Sequence, residues 1–166
     1  MNIVLFEPEI PQNTGNIGRT CYATGTTLHL IEPLGFSLSE KALLRAGMDY
    51  WKNLDVRRYV NFRDFLEKNN NPTIYMATTK TEQCYTDVEY PEDAYIMFGP
   101  ESRGIPEEIL VDYQSTCVRI PMLGETRSLN LSNSVAIILY EALAQNGFMG
   151  LNKKGSLHRL SWKDKQ

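Results

Sequence analysis

Histidine occurs only twice in this chain, at His29 and His158, and cysteine only three times, at Cys21, Cys84 and Cys117. An odd number of widely spaced cysteines fits neither a disulfide framework nor a zinc site. Two histidines leave little from which to build a protein-only transition-metal centre. The expectation is a reduced, metal-free, cytoplasmic protein. No apolar run approaches the roughly 20 residues that a membrane helix needs. The apolar start NIVLF has no basic region before it, so neither a signal peptide nor a membrane anchor is expected. The net charge is −3, so the bulk positive charge of many nucleic-acid binders is missing. Common nucleotide signatures are missing too. NIVLF is followed by EPEIPQNTGNIGRT and not by G-x-G-x-x-G. Gly99 and Gly104 have the spacing of a phosphate-binding loop, but Ile105 stands where its lysine would be. No G-x-S-x-G elbow occurs, which excludes the usual α/β-hydrolase arrangement.

What is present is an alternation of short apolar runs with helical patterns. At 166 residues and 42% hydrophobic, the chain is long enough for one core and short for two. Strands are predicted over 2–6, 27–31, 55–60, 73–78, 94–98 and 116–120. Most are near-continuous apolar runs, as in strands covered on both faces. Helices are predicted from about Gly15 to Thr24, from Ser37 to Gly47 with Ser37 and Glu40 as a capping box, after Asn61, from Pro106, and from Leu131 to Gln145. The fold class is therefore α/β, a single domain with a parallel sheet and helices on both faces. The last helix is apolar nearly all round, so it must be covered on more than one side, by its own chain or by a second subunit. The apolar pattern fades after Gly147, which gives a domain over 1–150 and a basic tail over 151–166. That tail carries Lys153, Lys154, Arg159, Lys163 and Lys165 against Asp164 alone.

Two turns stand out, FGPESRGIP (98–106) and IPMLGETRSLNLSNS (120–134). Each ends a predicted strand, and the second opens the last helix. Turns of this kind hold a small molecule through backbone groups. Their Ser, Thr and Asn side chains suit an adenine and ribose better than a triphosphate, and a cationic ligand such as S-adenosylmethionine would also fit.

These two turns, with N-T-G-N-I-G-R at 13–19, occur in an order that resembles the SPOUT class of RNA methyltransferases over about residues 1–147. The compact length, the IPQNTGNIGR opening and RAGMDYW (45–51) are similar to one branch of that class, which 2′-O-methylates the wobble cytidine or uridine of tRNA. The resemblance implies a C-terminal trefoil knot, which general topology would argue against. It implies a homodimer with the active site at the subunit interface, S-adenosylmethionine as methyl donor with no metal, and a tRNA anticodon stem-loop as partner. Carried over by motif, the donor is held by Ala77, Thr78, Gly99, Glu101, Ile120, Met122, Ser128 and Leu129. The catalytic residues are Arg19, Ser128 and Asn130. Asn13, Arg19, Arg127 and Tyr140 contact the substrate. Simpler roles stand beside these: Asn130 and Asn13 as helix caps, Glu101 as a solvated turn residue, Tyr140 as a packing aromatic. Arginine is a poor general base, so Arg19 suits positioning or charge stabilisation better than proton abstraction. The alternatives are 2′-O-methylation of another RNA, such as ribosomal RNA, and a non-catalytic RNA-binding factor of the same fold.

Overall fold

The computed structural model describes residues 1–38, 49–124 and 128–162. Six strands form one sheet: β1 (Asn2–Phe6), β2 (Thr27–Ile31), β3 (Val56–Tyr59), β4 (Ile74–Ala77), β5 (Tyr95–Phe98) and β6 (Cys117–Val118), in the order β3-β2-β1-β5-β4-β6. Every pairing between them is parallel, as near-continuous apolar strands predict. Among the described residues four α-helices accompany them: α1 (Pro11–Thr24), α2 (Phe62–Lys68), α3 (Glu107–Leu110) and α4 (Leu131–Gln145). Two 3-10 helices cover Asp49–Asn53 and Val111–Thr116. The helix expected from Ser37 to Gly47 falls mostly outside the described residues.

Side chains alternate across the sheet and build two cores. Ile3, Leu5, Leu28, Leu30, Ile96 and Phe98 pack on one face with Ile17 and Cys21 of α1 and with Val135, Ile138 and Leu139 of α4. Val4, Phe6, Ile31, Ile74, Met76 and Met97 pack on the other with Phe65 of α2 and Leu110 of α3. The expected two-sided covering is present. No helix among the described residues is long and apolar enough to cross a membrane.

Three boundaries differ from the sequence expectation for physical reasons. Helix α1 starts at Pro11, four residues early, because proline presets the first turn and a distant residue, described below, caps it. Pro106 is the N-cap of α3 and not its first residue. Strand β6 is two residues long because the chain changes partner: Arg119 bridges Cys84, accepting from Tyr85 N–H at 2.9 Å and donating to the Gln83 carbonyl at 2.9 Å.

Strand order places β1 beside β5. Chain progress from β1 through β2 to β3 runs one way, and the later strands sit on the other side. The crevice where such directions diverge, at the carboxyl ends of the strands, is where ligands bind in open α/β sheets.

His29 is fully buried on β2, between Tyr59, Phe65 and Tyr95. Asn2 donates its amide to the Asp93 carbonyl, so its Oδ1 faces His29 Nε2 at 3.1 Å. The imidazole is thus the neutral Nε2–H tautomer, with Nδ1 facing the Tyr59 hydroxyl at 2.8 Å. Burial first, then the charge of Arg57, lowers its pKa from 6.5 to about 4. The unfolded chain takes up this proton near pH 6.5 and the folded chain only near 4. Stability from this group is therefore complete above pH 6.5 and is lost as pH falls. Between pH 7 and 5 the loss should be about 2 kcal/mol. Urea unfolding should show that slope in the native protein and a flatter one in His29→Gln; an unchanged slope in the variant would assign it elsewhere.

Candidate active site

Strand β5 ends at Phe98, and the next residue turns the chain back on itself. A Cβ on Gly99 would lie 2.2 Å from Gly104 C and from Ile105 N, so no other residue fits there. The 99–104 loop is a closed ring of backbone, with Gly104 N–H donating to the Pro100 carbonyl at 2.9 Å.

Side chains of this ring clasp the 7–10 loop that follows β1. The Glu101 carboxylate accepts the N–H of Glu9 at 2.8 Å and of Ile10 at 3.3 Å. It also accepts the Asn13 amide at 3.0 Å. Glu9 returns the contact, accepting Ser102 N–H at 3.0 Å and its hydroxyl at 2.7 Å. Arg103 pairs with Glu7. Helix α1 has no side-chain cap of its own and no acid in its first turn. Glu101 supplies both across some ninety residues, meeting free N–H groups and placing negative charge at the positive end of the helix.

The network continues into α4. Asn13 is buried, and its Oδ1 accepts Asn130 Nδ2 at 3.0 Å. Asn130 Oδ1 accepts Ser132 N–H at 2.9 Å, the Ser132 hydroxyl at 2.7 Å and Asn133 N–H at 3.4 Å, which caps α4. The three motifs singled out from sequence therefore meet in one chain of hydrogen bonds.

Above this network, at the carboxyl ends of β4, β5 and β6, lies a cavity of about 560 Å³. This is within the ordinary range for a small-molecule site. Ala77, Thr78, Gly99, Glu101, Ile120, Met122, Ser128 and Leu129 all line it, as do Asn13 and Asn130. Glu101 contributes to the wall, while its carboxylate is occupied by the α1 end. Sequence reasoning missed Ser134 and Ile138, one and two turns into α4, and Lys80, in the polar run after β4. The Glu9–Ser102 clasp was missed as well; the acids of EPE were its only signal. Both cations at the wall are paired, Lys80 with Glu107 at 2.9 Å and Arg103 with Glu7. A triphosphate would find no unpaired cation among the described wall residues. A cavity without free cations suits a compact ligand without phosphates, and Gly99, with no side chain, lets main chain approach it.

Two predicted residues are not at this cavity. Arg19 lies six residues beyond Asn13 on α1, about 9 Å further along the axis. It is exposed on another face, with its guanidinium carbon 5.2 Å from the centroid of the Tyr50 ring. Tyr140 is 46% exposed on α4, its ring 6.4 Å from that of Phe148. Arg127 lies outside the described residues.

Residues 1–140 match the model of the SpoU rRNA methylase family. The chain is 48% identical over 151 residues to the tRNA (cytidine(34)-2'-O)-methyltransferase of Escherichia coli K12, covering 90% of this chain and 96% of that protein. It is 46% identical over 157 residues to the enzyme of the same name from Photorhabdus asymbiotica, covering 90% and 96%. A solved structure concerned with the 2-OH methylation of C/U34 on tRNA superposes with a TM-score of 0.82 at 44% identity, covering 88% and 95% of the two chains. An AdoMet-bound rRNA methyltransferase from Sinorhizobium meliloti superposes at 0.74 with 26% identity, covering 86% of this chain and 55% of that one. With three motifs joined at one cavity and a family match over most of its length, the chain belongs to the SpoU methylase family.

Proposed function

We propose that this protein transfers a methyl group from S-adenosylmethionine to the ribose 2′-hydroxyl of the wobble nucleotide, cytidine or uridine, in tRNA anticodon loops. The observation that carries this reading is the convergence of all three motifs on one cavity. The near full-length similarity to enzymes named for that reaction supports it.

Bound S-adenosylmethionine would supply an electrophilic methyl on a sulfonium, and a new C–O bond forms as the S–C bond breaks. Gly99, Thr78, Ile120, Met122, Ser128 and Leu129 would hold it through main-chain groups and apolar contact. Arg19 would bind a phosphate beside the reacting ribose and bring the 2′-oxygen into line; a guanidinium is a poor base, so its role is positioning and charge stabilisation. The hydroxyl proton would pass to solvent water as the C–O bond forms, and the donor would leave as a neutral thioether. Asn130 would act through the relay, fixing Asn13 and the α4 end that carries Ser128 and Leu129.

The position of Arg19, away from the cavity, supports a homodimer. The cavity of one chain lacks it, so the partner's Arg19 would complete the site. Asn133, Ile137, Tyr140 and Ala144 form an exposed or half-exposed stripe on α4, at the spacing of an interface helix. Tyr22 is 47% exposed on α1, which packs beside α4. The fold would include the C-terminal knot that the family resemblance implies. Residues 1–150 form the catalytic domain. The 151–166 tail, at +4 by sequence while residues 1–150 carry −7, would provide phosphate contacts. The enzyme would work in the cytoplasm, where its substrate is.

Arg19→Ala should lower kcat/KM on an anticodon stem-loop by about 100-fold or more, the scale of a lost alignment, with donor affinity by calorimetry unchanged. Full activity would remove Arg19 from the mechanism. A transcript with 2′-deoxyribose at the wobble position should give no methylated product; transfer to it would move the site to another nucleotide. Glu101→Gln sets an amide N–H₂ against donors at the α1 end, so urea unfolding should show a loss of about 1–3 kcal/mol. Calorimetry should show roughly tenfold weaker donor binding with it. Unaltered values for both would dissociate the relay from the cavity.

A further inference from the structure

NTGNIGR and RAGMDYW both point to the same branch, yet the reading above gives the second stretch no task. Its described end sits on α1. A Cβ on Gly18 would come within 2.7 Å of Trp51 Cζ3 and 3.3 Å of Leu54 Cδ2, so Gly18 is what lets the 3-10 helix Asp49–Asn53 approach. One residue before Trp51, Tyr50 donates its hydroxyl to the Gly15 carbonyl at 2.5 Å. Gly15 lies four residues before Arg19, so this carbonyl is also the helical acceptor of the Arg19 N–H. The Tyr50 ring, anchored to that turn, lies 5.2 Å from the Arg19 guanidinium carbon, and Tyr22 stacks on it at 6.1 Å and 29°.

Among the described residues no carboxylate holds Arg19. The manner of support matters. An acid would fix the guanidinium but would neutralise it and occupy its donors. An aromatic face attracts the cation and restricts its rotamers while the N–H groups at its edge stay available. An arginine that must present charge and donors to a phosphate in one orientation is better served by a ring.

We propose that Tyr50 is a positioning residue for Arg19, its ring setting the guanidinium and its hydroxyl setting the ring against the turn below. This rests on the reading of Arg19 as the residue that aligns the substrate.

The test compares Tyr50→Phe, which keeps the ring, with Tyr50→Leu, which does not; both lose the hydroxyl. Each is measured for kcat and KM on an anticodon stem-loop, donor affinity by calorimetry, and melting temperature. Tyr50→Leu should lower kcat/KM for RNA roughly three- to tenfold below Tyr50→Phe, with donor affinity equal in the two. A purely structural role would lower melting temperature and donor affinity along with activity, and would not be rescued by phenylalanine. Equal kcat/KM in the two variants, or parallel loss of donor binding in the leucine variant, overturns the proposal. Arg19→Ala, measured alongside, separates the failures: if it is fully active, the reading of Arg19 falls and this proposal with it. If it is disabled while the phenylalanine and leucine variants match, only the role of Tyr50 falls.

Discussion

The hydrogen-bond chain from Glu101 through Asn13 to Asn130 is the constraint on which the site depends. Its two ends define its direction. A carboxylate can only accept, so Asn13 must turn its Nδ2 to Glu101 and its Oδ1 to Asn130. The first N–H groups of α4 can only donate, so Asn130 must turn its Oδ1 to them and its Nδ2 to Asn13. Each amide has one orientation that satisfies both neighbours, and the two requirements agree. An aspartate at 13 would set two carboxylates face to face, and one at 130 would oppose two acceptors. Residues from three distant parts of the chain are thereby fixed as a set. With them the network fixes the start of α1, the 99–104 ring and the start of α4.

The ring depends on that network and adds a condition of its own. Because Gly99 touches Gly104 and Ile105 through bare backbone, the loop has no interior for side chains. Glu101, Ser102 and Arg103 point away and clasp the 7–10 loop. The ring lies at the cavity wall, at the crevice that a parallel sheet opens beside its switch point. The cations nearby are already matched to acids, which leaves a wall of low net charge. A sulfonium donor meets little repulsion there, and a polyphosphate meets little attraction.

Much of this was legible in the sequence, and what was not has one cause. The extent of α4, Leu131–Gln145, followed from Asn130 as a cap and from the apolar period, because both signals are local. Thr78, Gly99, Ile120 and Met122, which line the cavity, were named through the family resemblance and not from local physical signals. The start of α1 did not follow, because its cap is Glu101, ninety residues away. The shortness of β6 did not, because Arg119 leaves the sheet for Cys84. The distance of Arg19 from the cavity was also hidden. In sequence it shares a motif with Asn13, yet six helical residues turn it to another face. Local chemistry reads well from a single chain, while whatever is completed by a distant segment does not.

The same distinction explains how a chain of net charge −3 could meet a polyanion. Among the described residues most cations of the body are matched to acids: Arg57 to Asp55, Arg58 to Glu32, Arg63 to Glu67, Lys68 to Asp64, Lys80 to Glu107 and Arg103 to Glu7. Exposed pairs of this kind add little stability, but each removes a charge that phosphate could use. Arg119 is turned to the Thr81 carbonyl. Arg19 is held instead by an aromatic ring, and Lys154 and Arg159 lie in a tail that contains no acid before Asp164, while Lys153 gives its Nζ to the Gly147 carbonyl at 2.8 Å. Among the described residues, then, Arg19 and the tail are two places that offer positive charge to RNA. On the proposed reading they divide the work: the tail raises the local concentration of substrate through salt-sensitive contacts, and Arg19, supported without being neutralised, sets the angle of attack.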